Sequence, residues 1–261
     1  MNEATLTHIS IDGLRIAEVV VGNGTPVVLL HGWGASIDLM LPLANRLAPL
    51  GYRAYVPDLP GFGHSDPPPS AWSAHDYTNF VVAYLNHHGL KQVTLVGHSF
   101  GGRIGIVLGA QHGARVDKVV LIDSAGIRPR QPWRLRARTM IYKAARDGLR
   151  AVGLRDLSER LRAWYGERYG SADFKAASGV LRETFVKVVN EDLLPYTARI
   201  AAPTFLFWGE DDADTPLWMG QLLEKTIPDA ALHVFRGAGH YSYLDKPAET
   251  TRIIDAFLRQ P

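Results

Sequence analysis

Short apolar runs alternate with longer segments of helical period along most of this 261-residue sequence. Two runs, Thr5–Ile11 and Leu14–Val21, meet at Asp12-Gly13, and these turn residues predict an antiparallel hairpin. The other predicted strands are Pro26–Leu30, Tyr52–Pro57, Gln92–Val96, Val116–Ile122, Thr204–Trp208 and Ala231–Phe235. The predicted helices are Ser36–Leu50, Trp72–His88, Phe100–Gln111, Leu217–Thr226 and Ala248–Leu258. Because strands separated by helices form βαβ units, the pattern predicts an α/β fold with a mostly parallel eight-stranded sheet and helices on both faces.

A helical, arginine-rich segment interrupts this alternation between about residues 127 and 200. We therefore predict a core of residues 1–126 and 201–261, with a helical cap of residues 127–200 inserted after the sixth strand. From Arg128 to Arg168 the sequence has eleven arginines and one lysine against four acidic residues, a net charge of about +8, whereas the whole chain carries +2. A solvated helical face is the ordinary explanation of such a charge run. The basic residues are not interleaved with stacking aromatics on a recognised module, so we expect no nucleic-acid partner.

The absence of cysteine limits the possible chemistry, and the N-terminal sequence favours a cytoplasmic location. The chain contains no cysteine, which excludes disulfides, thiolate nucleophiles and cysteine zinc sites. Residues Met1–Ser10 lack the basic patch and apolar run of a secretory signal, and the apolar runs elsewhere are too short to cross a bilayer. We expect a cytoplasmic protein with no membrane segment.

The strongest chemical signal is the sequence Gly97-His98-Ser99-Phe100-Gly101, which matches the pattern G-x-S-x-G. A predicted strand leads into it and a predicted helix leads out. In this context the serine lies on a tight, strained turn that projects its hydroxyl above the sheet, and the small flanking residues let strand and helix backbones pass closely. Ser99 is therefore the predicted nucleophile.

A serine hydroxyl is a weak nucleophile at neutral pH and needs a neighbouring base. Of the ten histidines, His240 is the best placed, because it follows the last predicted strand on a loop at the carboxyl edge of the sheet. An acid must then hold the tautomer of the base. The loop after the strand Thr204–Trp208 offers four carboxylates at the same edge: Glu210, Asp211, Asp212 and Asp214. The loop lacks the regular ligand spacing of a metal site, so we expect neither a metal nor another cofactor.

Stabilisation of a tetrahedral oxyanion needs two preorganised donors. The backbone N–H of Phe100 supplies one, at a helix N-terminus where the dipole favours negative charge. The N–H of Trp33, in the sequence His31-Gly32-Trp33-Gly34, is the candidate for the second. A tight turn with a buried histidine ring is the alternative explanation of that sequence.

Six motifs taken together resemble those of the α/β-hydrolase superfamily. They are HGWG at 31–34, DLPGFGHS at 58–65, GHSFGG at 97–102, LIDSAG at 121–126, WGEDDADTP at 208–216 and GAGHYSYLDKP at 237–247. The resemblance implies an α/β-hydrolase fold and a serine–acid–histidine triad in that chain order. It selects Asp212 as the acid, because this residue lies three positions after Gly209 and four before Pro216. Relatives whose acid follows the sixth strand would instead select Asp123. By position, Trp33 and Phe100 are again the oxyanion donors.

Departures from related families narrow the expected chemistry. Haloalkane dehalogenases and epoxide hydrolases look similar but have aspartate where this chain has Ser99. Carbon–carbon bond hydrolases usually have tryptophan directly after the histidine, where this chain has Tyr241, and the typical motifs of proline iminopeptidases are absent. The resemblance therefore implies a carboxylesterase acting on a small-molecule ester.

Three alternatives stay open at this point. The HGWG motif and basic cap are similar to those of the methyl esterase that acts on pimeloyl groups held by an acyl-carrier protein, and an acidic carrier would be attracted to the cap. A carbon–carbon bond hydrolase is the second alternative. The third is a small-molecule receptor that keeps the fold and turns over slowly, because fold alone does not separate sensing from catalysis.

Overall fold

The computed structural model describes residues 5–128, 133–169 and 171–260. The ends of the predicted core and part of the predicted cap (residues 1–4, 129–132, 170 and 261) lie outside the described residues. The eight strands are β1 Leu6–Ile11, β2 Leu14–Gly22, β3 Thr25–Leu30, β4 Tyr52–Pro57, β5 Val93–His98, β6 Val116–Ile122, β7 Thr204–Gly209 and β8 Ala230–Phe235. They form one sheet in the order β1-β2-β4-β3-β5-β6-β7-β8. The strands β3 to β8 are parallel to one another, so the predicted fold class is confirmed.

The two antiparallel strands at one edge of the sheet are joined by the predicted hairpin. Ile11 pairs with Leu14, and the two turn residues Asp12 and Gly13 have φ values of 50° and 82°. Positive φ at both central residues matches the right-handed twist of the flanking strands. The sequence pair Asp-Gly therefore sets the register of β1 against β2.

Eleven helices lie among the described residues. They are α1 Ile37–Leu47, α2 Ala74–His87, α3 Phe100–Gln111, α4 Trp133–Ala151, α5 Arg155–Tyr169, α6 Ala172–Ala176, α7 Gly179–Asn190, α8 Leu194–Thr197, α9 Trp218–Thr226, α10 Ser242–Asp245 and α11 Pro247–Leu258. Helices α2, α3 and α9 pack on one face of the sheet, and α1 and α11 pack on the other. Full burial of a Leu or Phe side chain contributes about 1.5–3 kcal/mol to the free energy of unfolding. The helices packed on its two faces therefore stabilise the sheet that carries the site.

Several boundaries differ from the predicted ones for local reasons. Helix α1 ends at Leu47 because the chain tightens into a 3₁₀ turn before Gly51, which has a φ of 97°. Helix α2 begins at Ala74 because the Ser73 side chain and Asp76 cap its first turn reciprocally. Strand β5 extends to His98, so the strand leads directly into Ser99.

Helices α4 to α8 lie between β6 and β7, in the segment predicted as a cap. Among the described residues of this segment there is no strand, as expected. Helices α4 and α5 pack against each other and expose most of their residues, including Trp133 and Trp164. The division into core and cap stays a prediction. Among the described residues, no helix is both long enough and apolar enough to span a membrane.

Candidate active site

Ser99 lies on a strained turn between β5 and α3. Its φ and ψ are 50° and −105°, an unfavourable region for a residue with a side chain. The backbones around it approach so closely that a Cβ at Gly97 would lie 2.4 Å from the Gly101 carbonyl oxygen. A Cβ at Gly101 would lie 2.3 Å from the carbonyl oxygen of Leu30. The two glycines therefore permit the turn that carries the serine.

His240 lies between the serine and a carboxylate. Its Nε2 is 3.0 Å from the Oγ of Ser99, and its Nδ1 is 2.8 Å from Oδ2 of Asp212. The loops after β5, β7 and β8 each supply one of these residues, at the carboxyl edge of the sheet where the sequence predicted them. The three side chains thus form one hydrogen-bonded series.

Asp212 is held by hydrogen bonds to both of its oxygens. Oδ1 accepts the backbone N–H groups of Asp214 and Thr215 at 2.8 and 2.9 Å, and the Thr215 hydroxyl lies 2.7 Å from Oδ2. Burial acts to raise the pKa of Asp212, but the bonds from His240 and Thr215 outweigh it and lower the pKa below its ordinary value. The carboxylate is therefore ionised and fixed in orientation at neutral pH.

The pKa of His240 is set by the same contact. Burial acts to lower it, but the hydrogen bond and charge of Asp212 outweigh burial, and the pKa lies above the ordinary value of 6.5. Thus Asp212 stabilises the imidazolium, which is the form that a general base acquires when it takes the proton of a serine.

Asp123, the alternative acid, has different partners. Its Oδ1 accepts the N–H of Gly209 at 2.8 Å, and its Oδ2 accepts the N–H of Ser242 at 3.0 Å. Burial raises the pKa of Asp123 to about 7. By these hydrogen bonds, Asp123, which directly follows β6, is linked to the last residue of β7 and to the first residue of α10. The carboxylate hydrogen-bonded to His240 is that of Asp212.

The two backbone donors predicted for an oxyanion are free to bind one. Within the part of the chain that the structure describes, the N–H groups of Trp33 and Phe100 have no hydrogen-bond acceptor. Both residues line the cavity that contains Ser99. A Cβ at Gly32 would lie 3.3 Å from the Cβ of Ser99, so the absence of a side chain there lets the Trp33 loop approach the serine.

The ring of His31 is also buried, as the alternative explanation of its motif expected. Its Nδ1 lies 2.7 Å from the Gly32 carbonyl oxygen and its Nε2 accepts the N–H of Leu59 at 3.0 Å. Burial lowers the pKa of His31, which keeps the ring neutral. The ring therefore holds the loop that contains Trp33 in place. A buried histidine ring and an oxyanion donor at Trp33 are compatible in this structure.

A cavity of about 570 Å³ surrounds the serine. Its apolar lining includes Ile127, Phe185, Val188 and Met219, and its charged lining includes Arg103, Arg128, Asp173 and Asp214. Arg103 was not among the residues predicted from the sequence, although it is the only charged residue in helix α3 and is conspicuous for that reason. Thr215 was also missed, because no sequence pattern marks a threonine as a partner of a carboxylate.

Three potential metal ligands, one of them His240 itself, lie close together in the site. Oxygens of Asp212 and Asp214 and a nitrogen of His240 lie within 4.8 Å of one another. However, Asp212 and His240 are already hydrogen-bonded to each other, so a cation here would compete with that bond. The expected lack of a metal cofactor stays a prediction.

The comparisons with known proteins agree with the geometry. A family model described as alpha/beta hydrolase fold matches residues 25–247. A pimeloyl-[acyl-carrier protein] methyl ester esterase of Chromobacterium violaceum is 29% identical over 255 residues, covering 90% of this chain and 94% of the relative. A 2-hydroxymuconate semialdehyde hydrolase of Pseudomonas putida is 28% identical over 256 residues, covering 92% and 89%. The solved structure of an esterase from Exiguobacterium antarcticum is similar with a TM-score of 0.76 at 24% identity, covering 98% of this chain and 100% of that one, a likeness of fold.

Proposed function

The chain belongs to the alpha/beta hydrolase fold family, and on this premise we propose that it is a serine hydrolase that cleaves carboxylic esters through an acyl-enzyme formed on Ser99. The observation that carries the proposal is the hydrogen-bonded series of Ser99, His240 and Asp212. This series lies in a cavity lined also by Trp33 and Phe100, whose backbone N–H groups have no acceptor among the described residues.

The first half of the reaction follows from these positions. His240 accepts the proton of Ser99 through its Nε2, and the serine oxygen attacks the ester carbonyl. The carbonyl oxygen becomes an oxyanion between the N–H groups of Trp33 and Phe100, and removal of one such donor costs about 3 kcal/mol of barrier in measured cases. Asp212 stabilises the imidazolium that forms.

The second half reuses the same groups. The imidazolium of His240 donates its proton to the leaving alcohol, which leaves an ester between the acyl group and the Ser99 oxygen. A water molecule then loses its proton to His240 and attacks the acyl carbonyl. The bond between the acyl carbon and the Ser99 oxygen breaks, His240 returns the proton to Ser99, and the carboxylic acid is released. The chain needs no cofactor for any of these steps.

Hydrolysis of p-nitrophenyl acetate and butyrate tests the proposal. The Ser99→Ala variant removes the nucleophile, so we expect it to lose most of the turnover, by about 10³-fold or more. Ser10→Ala, an exposed serine on β1 outside the cavity, is the matched control and should retain the wild-type rate. Equal turnover of the Ser99→Ala variant and the wild type would overturn the proposal. So would a stoichiometric burst with no sustained turnover, which is the behaviour of a receptor.

A carrier-linked methyl ester is the second candidate substrate, favoured by the net charge of about +8 between Arg128 and Arg168. On helices α4 and α5, Arg134, Arg155 and Arg160 are exposed and have no salt bridge among the described residues. An acidic acyl-carrier protein would be attracted to this surface, and the Chromobacterium violaceum relative carries the name of such an esterase.

Salt sensitivity separates this candidate from a free ester. Higher ionic strength screens charges on separate molecules, so kcat/KM for a carrier-linked ester should fall steeply between 0.05 and about 0.5 M salt. The rate with a small neutral ester should change little over the same range. Equal salt dependence for both substrates would exclude attraction by the basic surface.

A further inference from the structure

Arg103 carries a buried positive charge that forms no salt bridge with any described residue. The residue is 6% exposed, and Nη1 donates one hydrogen bond, 3.0 Å long, to the carbonyl oxygen of Glu191. Among the described residues, no carboxylate oxygen lies within salt-bridge distance of the guanidinium. A guanidinium has five N–H donors, so most of those of Arg103 have no acceptor in the part of the chain that the structure describes.

The two carboxylates whose charges act on Arg103 form their hydrogen bonds with backbone N–H groups instead. The charges of Glu191 and Asp192 act on Arg103, but an oxygen of Glu191 accepts the N–H of Ala74 at 3.0 Å. Asp192 accepts the N–H of Leu194 at 3.2 Å. Burial lowers the pKa of Arg103 to about 10, so the side chain stays charged at neutral pH. A buried charge that makes few hydrogen bonds and no salt bridge is costly, and a site that retains one is suited to a ligand of opposite charge.

The position of Arg103 connects this charge to the reaction. Its backbone N–H donates to the carbonyl oxygen of Ser99 at 3.2 Å, so it lies one helical turn beyond the nucleophile, about 6 Å along the axis of α3. Arg103 is one of the residues that line the cavity around Ser99, together with the apolar residues Val188 and Met219. A short chain of methylene groups can occupy the apolar part between the two ends.

Negative charge in the cavity is concentrated elsewhere. Asp173 and Asp214 interact electrostatically with both Tyr241 and His240. A carboxylate on the substrate would be repelled from that region. Arg128, an exposed residue of the cavity lining, adds a second positive charge to the cavity.

We propose that Arg103 binds a carboxylate of the substrate, and that the preferred substrates are esters that carry a free carboxylate a few bonds from the scissile carbonyl. Half-esters of short dicarboxylic acids have this chemistry. The substrate assignment rests on the proposed ester hydrolysis, whereas binding of the carboxylate does not. A guanidinium and a carboxylate form charge-assisted hydrogen bonds, often two in parallel, so one partner's loss is expected to cost about tenfold or more in affinity.

The kinetic test compares monomethyl adipate with dimethyl adipate, which differ in the free carboxylate, by following acid release at constant pH. A second anionic ester, O-butyryl glycolate, carries the carboxylate on the alcohol side and is compared with its methyl ester. Wild-type kcat/KM should favour at least one anionic ester by about tenfold. Arg103→Met should abolish that preference, and Arg103→Lys, which keeps the charge, should retain part of it. Arg115→Met is the matched control, because Arg115 also donates to backbone carbonyls but lies outside the cavity.

A binding measurement tests the role of Arg103 without turnover, and it is paired with a check that each variant is folded. Titration calorimetry on Ser99→Ala should give tighter binding of monomethyl adipate than of dimethyl adipate, and Arg103→Met in that background should equalise them. Thermal unfolding checks that each variant is folded, since the bond to Glu191 also joins two segments. Hydrolysis of p-nitrophenyl butyrate without any anionic preference in rate or binding would overturn the proposal and leave the esterase function standing. Arg103-dependent binding without hydrolysis of any ester would overturn the esterase function instead.

Discussion

Thr215 contacts both carboxylate oxygens of Asp212. Its N–H donates to Oδ1 at 2.9 Å, and its hydroxyl lies 2.7 Å from Oδ2, the same oxygen that His240 contacts. The hydroxyl is also 3.0 Å from the carbonyl oxygen of Asp123. Thr215 therefore holds the carboxylate in the orientation that meets the base, although it does not touch the serine.

Replacement of this threonine tests its positioning role. Thr215→Val keeps the shape of the side chain and removes the hydroxyl, so we expect kcat to fall by about tenfold, the loss of one hydrogen bond to a charged group. KM should change little, because the hydroxyl is hydrogen-bonded to Asp212 and lies 3.0 Å from the carbonyl oxygen of Asp123. As a control, Thr226→Val removes a hydroxyl that bonds only backbone carbonyls of α9, and should leave kcat unchanged. A wild-type kcat for Thr215→Val would contradict the role.

The two buried aspartates should respond differently to amidation. Asp212→Asn removes the charge that fixes the tautomer of His240, and we expect kcat for an ester to fall by about 10³- to 10⁴-fold. Asp123→Asn should retain far more activity. It should instead lower the free energy of unfolding by about 1–3 kcal/mol, because an amide can no longer accept both backbone N–H groups. Steady-state kinetics and urea unfolding at pH 8 measure both effects, and a larger loss of kcat in Asp123→Asn would reassign the acid.

The pH dependence of kcat/KM should report the state of His240. The base is active only when neutral, so activity should fall about tenfold per pH unit below its pKa, which lies above 6.5. Because contact with Asp212 raises this pKa, the midpoint should move to lower pH in Asp212→Asn. The pKa of Asp123 is also near this range, at about 7. The charge of Asp123 also contributes to the raised pKa of His240, but less than Asp212 does, so the midpoint in Asp123→Asn should move to lower pH by less than in Asp212→Asn. Its disappearance in Asp123→Asn would assign the titration to that carboxyl.

The turn at Ser99 should tolerate no side chain at Gly101. In Gly101→Ala the new Cβ would lie 2.3 Å from the carbonyl oxygen of Leu30 in the neighbouring strand β3. We expect the free energy of unfolding to fall by about 3 kcal/mol and activity to fall as the Trp33 loop shifts. Gly113→Ala, where no atom lies within 4 Å of the added Cβ, should change stability by less than about 0.5 kcal/mol. Equal stabilities of the two variants in chemical denaturation would show that the turn relaxes freely.

Much of the fold follows from local patterns in the sequence. Strands β4 and β6 and helix α3 have the predicted bounds, because turn residues or a change of period mark each of their ends. The strained turn at Ser99 was also predicted, since its geometry depends on glycines close by in the sequence. Residues close together in the sequence are therefore sufficient to predict these elements.

The contacts within the site depend on residues far apart in the chain, and there the sequence is less informative. Asp123 and Asp212 both follow neighbouring strands of the sheet, so a strand pattern leaves the choice between them open. The backbone of Asp123, with a φ of 46°, directs its carboxyl to the N–H groups of Gly209 and Ser242. Arg103 was missed for the same reason. Whether it forms a salt bridge depends on how Glu191, 88 residues away, is bonded, and within the described residues the Glu191 carboxylate accepts the N–H of Ala74 instead.

Covalent labelling of the serine tests the central claim most directly. The wild-type protein is treated with a fluorophosphonate, which forms a stable adduct with an activated serine hydroxyl, and the modified peptide is identified by mass spectrometry. We predict one adduct, on Ser99, with labelling slowed strongly in His240→Ala and absent in Ser99→Ala. Labelling of another residue, or equal labelling of the wild type and Ser99→Ala, would contradict the assignment of Ser99 as the nucleophile.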